Sequence, residues 1–260
     1  MSALKIIVPV AVGVLVLALW QFLVRHYQVP VYLLPAPSDI WQAFIESFAE
    51  LMSALWVTLR IVVLAFLLAL ATGVALAILF SQSRVVELAL YPYAVILQVT
   101  PVIAIAPLII IWVGYDRVDA ALLILAWIVA FFPILANTTL GLRSADRNLI
   151  ELFKLYGGSR WQMLTRLQMP GALPYLMSAM KVSGGLALVG TIVAEFAAGS
   201  GTDTGMGWTI IEASRNLHIA KLFAALALLS LLGIAIFFAL SALEWLVLHR
   251  WHESALRQER

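Results

Sequence analysis

The sequence predicts an all-α integral membrane protein with six transmembrane helices, and its composition is the first reason. Hydrophobic residues make up 63% of the 260 residues, charged residues 12%, and the mean hydropathy is +1.01. A soluble domain has roughly 45–50% apolar and about 25% charged residues, so these figures exclude an ordinary soluble protein. The sequence has no cysteine, which excludes disulfides, thiolate metal sites and cysteine nucleophiles. A net charge of +2 is too small to indicate a nucleic-acid binder.

The second reason is the length of the apolar runs. A helix needs about 20 mostly apolar residues to cross a hydrocarbon core roughly 30 Å thick. The first run is too long for a signal-peptide core and has no small-residue cleavage site, so we expect it to be a retained span. The predicted spans are residues 6–24, 56–80, 88–114, 120–140, 173–196 and 222–248.

The third predicted span contains three prolines, Pro92, Pro101 and Pro107. Proline removes a backbone hydrogen bond and kinks a helix. In lipid, such backbone is tolerated only where neighbouring groups or water satisfy it. We therefore expect one kinked helix that packs inside the bundle and lines a cavity.

The distribution of basic residues is the third reason, and it also predicts the orientation. With six spans, ten basic residues fall on one side of the membrane and four on the other. Cytoplasmic loops carry the excess of Lys and Arg, so both termini are expected in the cytoplasm. The ten are Lys5, Arg84, Arg143, Arg147, Lys154, Arg160, Arg166, Arg250, Arg257 and Arg260, and the four are Arg25, Arg117, Arg215 and Lys221.

These boundaries divide the chain into a first transmembrane helix (1–25), a periplasmic segment (26–55), a core of five spans (56–250) and a cytoplasmic tail (251–260). In the periplasmic segment Ser38 is a suitable N-cap for a new helix. The helix that follows has apolar residues at steps of three and four, which predicts an amphipathic helix in the membrane interface. Helical spacing alone favours an amphipathic connector with no specific role over an element with a function of its own. The apolar residues are Trp41, Phe44, Ile45, Phe48 and Leu51.

The connection between spans four and five, residues 141–172, is amphipathic in character. Gly157-Gly158-Ser159 supplies a helix stop followed by a new cap. The pattern predicts two short amphipathic helices that meet at a glycine turn, with the second ended by Pro170. Their apolar surface has no obvious partner in the chain, so it either docks on a cytoplasmic partner or rests on lipid headgroups.

Within that connection, Glu151-Leu152-Phe153, Gly157 and Leu167-Gln168-Met169-Pro170 stand at the spacing of the signature E-A-A-x-x-x-G-x(9)-I-x-L-P. The chain thereby resembles the inner-membrane permease subunits of bacterial binding-protein-dependent ABC importers. Leu152 and Phe153 replace the two alanines, which implies a roomier groove in the partner. Leu167 and Met169 replace the isoleucine and the leucine, so every departure keeps an apolar residue.

The resemblance covers roughly residues 34–250. Further segments are similar to the branch of the family that imports nitrate, aliphatic sulfonates, taurine and pyrimidine precursors of thiamine. The neighbourhoods of Pro107 and Pro133 look most like the pyrimidine-precursor permeases. The segments are Leu34-Pro35-Ala36-Pro37-Ser38, Thr100-Pro101, Trp112-Val113-Gly114-Tyr115 and Val193-Ala194-Glu195.

The resemblance implies a type I (MetI-like) ABC importer transmembrane domain that works as a homodimer. Residues 141–172 would be a coupling loop seated in a cleft of a cytoplasmic ABC ATPase dimer, which binds the ATP and Mg²⁺, and a periplasmic solute-binding protein would deliver the solute. This chain would be no enzyme and bind no cofactor, metal or nucleic acid, because it has no phosphate-binding G-x-x-x-x-G-K-[ST] motif and no cluster of catalytic or ligating side chains. The expected coupling residues are Glu151, Leu152, Phe153, Lys154, Tyr156, Gly157, Gly158, Ser159 and Pro170.

Ionisable residues and prolines inside spans are candidates for the pathway or its gate. Arg60 and Lys181 can instead snorkel to the nearer headgroup layer of the surrounding lipid, and that alternative stays open. Glu195 ends a span rich in small residues, which allow helices to approach closely, so we expect it at an outer gate. The candidates are Arg60, Pro101, Pro107, Lys181 and Glu195.

A function of a different class also fits a six-span protein: an ATP-independent secondary carrier or channel. Two features oppose it, namely the long basic cytoplasmic connection and the scarcity of ionisable residues within spans to bind coupling ions. Secondary carriers are often built from inverted repeats, and none is visible in the sequence.

Overall fold

Every regular element is a helix in the computed structural model, which describes residues 2–199 and 204–249. The predicted cytoplasmic tail, 251–260, lies outside the described residues. Single turns of 3₁₀ helix at Tyr115–Arg117 and of π-helix at Leu164–Gln168 join longer elements. The α-helices are α1 (Ser2–His26), α2 (Pro37–Glu46), α3 (Phe48–Gln82), α4 (Arg84–Val99), α5 (Val102–Val113), α6 (Val118–Arg143), α7 (Arg147–Leu155), α8 (Arg160–Met163), α9 (Met169–Ala198), α10 (Met206–Arg215) and α11 (Ile219–Leu248).

Five of the described helical segments are individually long and apolar enough to cross a membrane, and these contain α1, α3, α6, α9 and α11. A sixth candidate is the pair α4 and α5, which meets the criteria only when both helices are counted together. All six predicted apolar segments are therefore helical, which confirms the all-α membrane fold.

The third predicted span is not one kinked helix, as expected from the sequence, but two helices bent by 104° at Thr100 and Pro101. Proline forces the preceding residue out of the helical region, and Thr100 is extended, with φ −68° and ψ 125°. Pro101 then begins α5 as its N-cap. The chain thus uses one of the three prolines to end a helix, while Pro92 and Pro107 remain inside helices.

The chain divides into two compact units, and the first consists of residues 2–57 and 204–231. Here the N-cap of α2 is Ala36 rather than the predicted Ser38, and the Asp39 carboxylate accepts the Ala36 N–H at 3.2 Å. The Ser38 hydroxyl instead accepts hydrogen bonds from Gln21 and Arg25 of α1. Arg25 also pairs with Asp39 at 2.5 Å, so α1 and α2 are fastened by polar contacts.

The predicted apolar face of the interfacial helix is divided between two helices. α2 ends at Glu46, so Phe48 and Leu51 belong to α3, and Leu51 is fully buried. Trp41 and Ile45 on α2 stay exposed, as a helix lying in a membrane interface requires.

The second unit, residues 58–199 and 232–249, is built around α6 and α9. Small residues set their close approach: a Cβ placed on Gly190 would lie 3.1 Å from the Cα of Ala126, and one on Gly141 would lie 3.0 Å from the Cα of Ala172. Helices in membranes associate through such small residues. The buried core around this pair includes Val62, Phe80, Phe131, Ile134, Leu135, Leu142, Leu164 and Ala187.

Pro170 does not end a helix, contrary to the sequence prediction. The chain is helical from Arg160 through Ala198, because the π-helical turn links α8 to α9. In this turn the Met169 N–H donates to the Leu164 carbonyl five residues earlier. A local π adjustment of this kind accommodates a proline without breaking the helix, so the fifth span continues into the second half of the connection.

Candidate functional site

The connection 141–172 contains a short helix with a fixed beginning and end. Asp146 caps α7 by accepting the Asn148 N–H at 2.8 Å. At the other end, the Gly157 N–H donates to the Lys154 carbonyl and the Gly158 N–H to the Phe153 carbonyl, at 3.1 and 2.8 Å. This pair of hydrogen bonds is the Schellman motif. Gly157 has φ +70°, the left-handed conformation that glycine adopts without strain.

Beyond the glycine turn, Ser159 starts α8 by a capping box with Gln162: each side chain accepts the other residue's backbone N–H. The predicted helix stop and new cap are therefore confirmed. The predicted second amphipathic helix is only the four residues Arg160–Met163 before the π-helical turn.

The turn between α7 and α8 carries large apolar side chains that nothing in the described chain covers. Leu155 is 83% exposed, Tyr156 85% and Trp161 69%. Leu152 is also exposed, together with the charged Glu151 and Lys154. Phe153 differs, because it is half-buried and packs over the turn, so that a Cβ on Gly158 would lie 3.0 Å from its ring. Phe153, one of the two bulky residues at the alanine positions of the signature, thus packs on this chain itself.

The base of the connection is fixed in the core. Leu142 at one end and Leu164 at the other are fully buried in the same apolar cluster. Gly141 lies against Ala172 and Tyr175, where a Cβ would approach to 3.0 and 2.9 Å. The exposed tip around Tyr156 therefore stands on a base that is continuous with α6 and α9.

An ion cluster at the same end of the second unit was missed in the sequence. The Glu87 side chain on α4, 10% exposed, accepts a hydrogen bond from Arg84 at 2.8 Å and pairs with Arg143, the last residue of α6. The sequence pattern that could have indicated this cluster is an acidic residue, Glu87, at the edge of an apolar run and close to the basic residue Arg84. Only the folded chain brings Arg143 to it.

Two of the predicted pathway residues, Arg60 and Glu195, are linked to α3. Arg60 on α3 pairs with Asp119 in the first turn of α6, and both side chains are about half exposed. Two residues earlier on α3, the Thr58 hydroxyl donates to the Glu195 carboxylate on α9 at 2.7 Å. Glu195 is only 3% exposed. Arg60 and Thr58, the hydrogen-bond partner of Glu195, thus lie two residues apart on α3.

The other charged candidate, Lys181, lies apart from that group. It is in the first half of α9 and pairs with Glu244 on α11 at 2.6 Å, and both side chains are about one-fifth exposed. Glu244 was missed in the sequence, although it is the one ionisable residue of the sixth predicted span and such residues are functional candidates.

The two proline candidates lie on α5. Pro101 begins the helix and Pro107 is inside it, and both side chains are exposed on the single chain. α5 packs against α6 and α9 through its other face, where Ala106 and Ile110 are buried.

α9, although central to its unit, leaves one face uncovered. Exposed residues recur along it at steps of three and four, which is one face of a helix. Gly185 on this face has open space where a side chain would stand. The exposed residues are Tyr175, Ser178, Val182, Gly185, Val189 and Phe196.

Residues 69–249 match the family described as the binding-protein-dependent transport system inner membrane component. The chain belongs to this family. The match covers more than two-thirds of the permease and includes the connection 141–172 and the predicted pathway residues except Arg60.

Curated relatives match over nearly the whole length of the permease. It is 35% identical over 245 residues to a riboflavin transport system permease of Chloroflexus aurantiacus, covering 92% of this chain and 88% of that one. It is 32% identical over 244 residues to a formylaminopyrimidine transport permease of Halalkalibacterium halodurans, covering 92% and 94%. A putative aliphatic sulfonates transport permease of Bacillus subtilis is 32% identical over 220 residues, covering 84% and 78%.

Among solved structures, the permease has the same fold as a chain in a structure titled as an amino acid ABC transporter with histidines. The TM-score is 0.63 at 16% identity, over 80% of this chain and 97% of that one. The permease is therefore the translocation subunit of an ABC importer and a multi-pass protein of the inner membrane. It works with an ATPase and a substrate-binding protein, and such subunits are not themselves enzymes.

Proposed function

We propose that residues 141–172 are the loop through which this permease contacts its ATPase. The observation that carries the proposal is the exposed apolar tip of Leu155, Tyr156 and Trp161 next to a rigid glycine turn. Apolar side chains of this size, surrounded by charged residues, are typical of a protein-protein contact. Glu151, Leu152, Lys154, Gly157 and Ser159 are the coupling residues that shape or flank this tip, whereas Phe153, Gly158 and Pro170 support it from within the chain.

The permease is a homodimer in this proposal, with the uncovered face of α9 at the axis. Small residues such as Ser178 and Gly185 on that face favour close packing of two helices in lipid. Both termini are cytoplasmic, since this orientation places the basic-rich connections inside. α1, whose described side chains are nearly all exposed, faces lipid.

The solute pathway runs beside α9 and α5, with its outer gate at the level of Arg60 and Glu195. Glu195 is the central gate residue, because it is a buried acidic group at the outer end of the α9 span. Pro101 and Pro107 shape the exposed face of α5. Lys181 is held by Glu244, so its contribution is to fix α11 against α9.

The solute is a small organic or anionic molecule: a pyrimidine precursor of thiamine, or a sulfonate, taurine or nitrate. Two relatives at 32% identity support the pyrimidine and sulfonate classes, and the relative at 35% identity, named for riboflavin, supports an organic solute. The periplasmic binding protein carries the finer selectivity.

The test of the coupling loop uses two substitutions at one position. Gly157 has open space around it, so its positive φ, and not a steric clash, decides what can replace it. A β-branched residue is strongly strained at positive φ, whereas Asn tolerates it. We expect Gly157→Val to abolish co-purification of the ATPase from mild detergent, and Gly157→Asn to retain it. Gly13→Val, also in open space but within α1, is the matched control and retains the ATPase.

Equal recovery of the ATPase with all three variants would contradict the coupling role. A wild-type chain that purified without any ATPase would contradict the proposal as a whole. The binding protein recovered with the intact complex is then screened for its bound ligand, which identifies the solute class.

A further inference from the structure

The buried carboxylate of Glu87 lies where the coupling loop joins the rest of the second unit. It accepts a hydrogen bond from Arg84 on its own helix and pairs with Arg143. Arg143 is the last residue of α6 and stands three positions before Asp146, which caps α7. A single carboxylate thus links the beginning of α4 to the root of the coupling loop.

This linkage differs from an ordinary surface ion pair. The Glu87 side chain is 10% exposed and pairs with Arg143 and Arg84, whose side chains are 43% and 66% exposed. Exposed ion pairs contribute little, but a buried carboxylate loses much when its partner is removed. The adjacent Val86 packs against the same apolar core as Leu142 and Leu164, so the link has an apolar support.

α4 leads from this link to the break at Thr100 and Pro101, where α5 turns by 104°. Glu87 and the core beneath it therefore connect the root of the loop to the bent pair. α6 and α9 are also connected to the root through their own buried residues, but α4 has its polar attachment to α6 at this one described cluster.

We propose that the Glu87–Arg143 pair transmits movement of the coupling loop to the bent pair α4–α5, with Glu87 as a positioning residue. This inference rests on the proposed contact between the coupling loop and the ATPase. It adds to that proposal a defined route from the loop to the helix pair that bears Pro101 and Pro107.

The experiment uses the absence of cysteine from the chain. Single cysteines are introduced at Leu155, at the tip of the loop, and at Val99, the last residue of α4, which is 70% exposed. Alkylation rates are measured in the full complex with its ATPase in nanodiscs, with and without a non-hydrolysable ATP analogue. In the otherwise unchanged chain we expect the analogue to alter the rate at both positions.

In Glu87→Gln we expect the response at Leu155→Cys to persist and the response at Val99→Cys to be lost. We expect the same loss of the Val99→Cys response in Arg143→Gln. The double variant Glu87→Gln with Arg143→Gln should lose no more than either single variant, because the two residues act as one pair. The double variant leaves Arg84 as the single charged side chain of the cluster, and because that side chain is 66% exposed, the double variant serves if a single variant does not assemble. Asp116→Asn, which removes an 80% exposed carboxylate, is the control and keeps both responses.

The outcomes separate the two proposals. If the ATP analogue does not alter the alkylation rate of Leu155→Cys when this is the only substitution, the coupling-loop proposal fails. If Leu155→Cys responds but Val99→Cys does not, α4 does not move with the loop and the present inference is overturned. It is also overturned if Glu87→Gln and the double variant keep the full response at Val99→Cys.

Discussion

At the scale of single residues, Glu195 combines deep burial with a defined hydrogen-bond donor. The Thr58 hydroxyl donates to its carboxylate at 2.7 Å, and the side chain is 3% exposed. Acidic groups at such a position within a membrane span are costly and are retained for function. This makes the charge of Glu195, rather than its shape, the property to test.

We expect Glu195→Gln to leave assembly with the ATPase intact and to reduce solute uptake by about tenfold. Glutamine keeps an oxygen that accepts the Thr58 hydrogen bond. Replacing a charged acceptor by a neutral one weakens a hydrogen bond by roughly 1.4 kcal/mol, and this free energy corresponds to a tenfold change in rate. The measurement is uptake of the binding protein's ligand into proteoliposomes. Glu212→Gln, at an exposed glutamate of α10, is the control with unchanged uptake. Full uptake by Glu195→Gln would contradict the gate role.

The sequence identified the charged residues within spans but not their partners. Arg60 and Lys181 were predicted as candidates from hydropathy alone, whereas Asp119 and Glu244 pair with them only after helices distant in sequence come together. The proposed coupling residues could be named from the sequence because their motif is local, with Glu151 and Gly157 six positions apart. Long-range pairing such as Glu87 with Arg143 leaves no comparable local pattern.

At the scale of helices, the Lys181–Glu244 pair fastens α9 to α11 within the second unit. Close packing supports the same contact, since a Cβ on Gly184 would lie 2.5 Å from the Leu240 side chain. The pair neutralises both charges inside spans, where an isolated charge costs up to about 3 kcal/mol. The pair is therefore a structural element of the helix interface.

We expect Lys181→Met to destabilise the permease by up to about 3 kcal/mol, because Glu244 is left without its counter-charge. Lys181→Met combined with Glu244→Leu should recover most of that loss. The measurement is thermal unfolding in detergent, with Arg117→Met, at a 75% exposed side chain, as a control that stays within about 0.5 kcal/mol of wild type. A double variant as unstable as the single one would show that the charges are not a pair.

Hydropathy predicted the existence of every long helix, because burial in lipid requires a continuous apolar run. It did not predict where helices are interrupted. Pro101 interrupts the helical run, while Pro170 is accommodated by a π-helical turn. The difference lies in the backbone of the preceding residue: Met169 stays helical, with ψ −47°, whereas Thr100 is extended, with ψ 125°, although each N–H has a carbonyl acceptor.

At the scale of the whole molecule, the number of membrane crossings depends on the bent pair. α4 has 16 residues and α5 has 12, which correspond to about 24 and 18 Å of helix. Neither reaches across a core of roughly 30 Å by itself. The positions of both termini and of the coupling loop therefore depend on whether the two helices cross the membrane together.

We expect α4 and α5 to cross the membrane together. Only then does the loop after α6, with its basic residues, lie on the same side of the membrane as the segment between α3 and α4. Tyr115→Cys, just after α5, should react with a membrane-impermeant maleimide added to intact spheroplasts. Val85→Cys, at the start of α4, should react only after the membrane is opened. Both side chains are about three-quarters exposed in the chain, so accessibility reports the side of the membrane.

Tyr27→Cys, strongly exposed, is the outer control for the labelling, and Leu155→Cys, also strongly exposed, reports the side of the coupling loop. If Tyr115→Cys and Val85→Cys reacted on the same side, α4–α5 would be a re-entrant pair and the chain would cross five times. The coupling loop and the segment before α4 would then lie on opposite sides of the membrane. A link from Arg143 to Glu87 at one membrane face requires the opposite result, so the labelling tests the topology and the transmission route together.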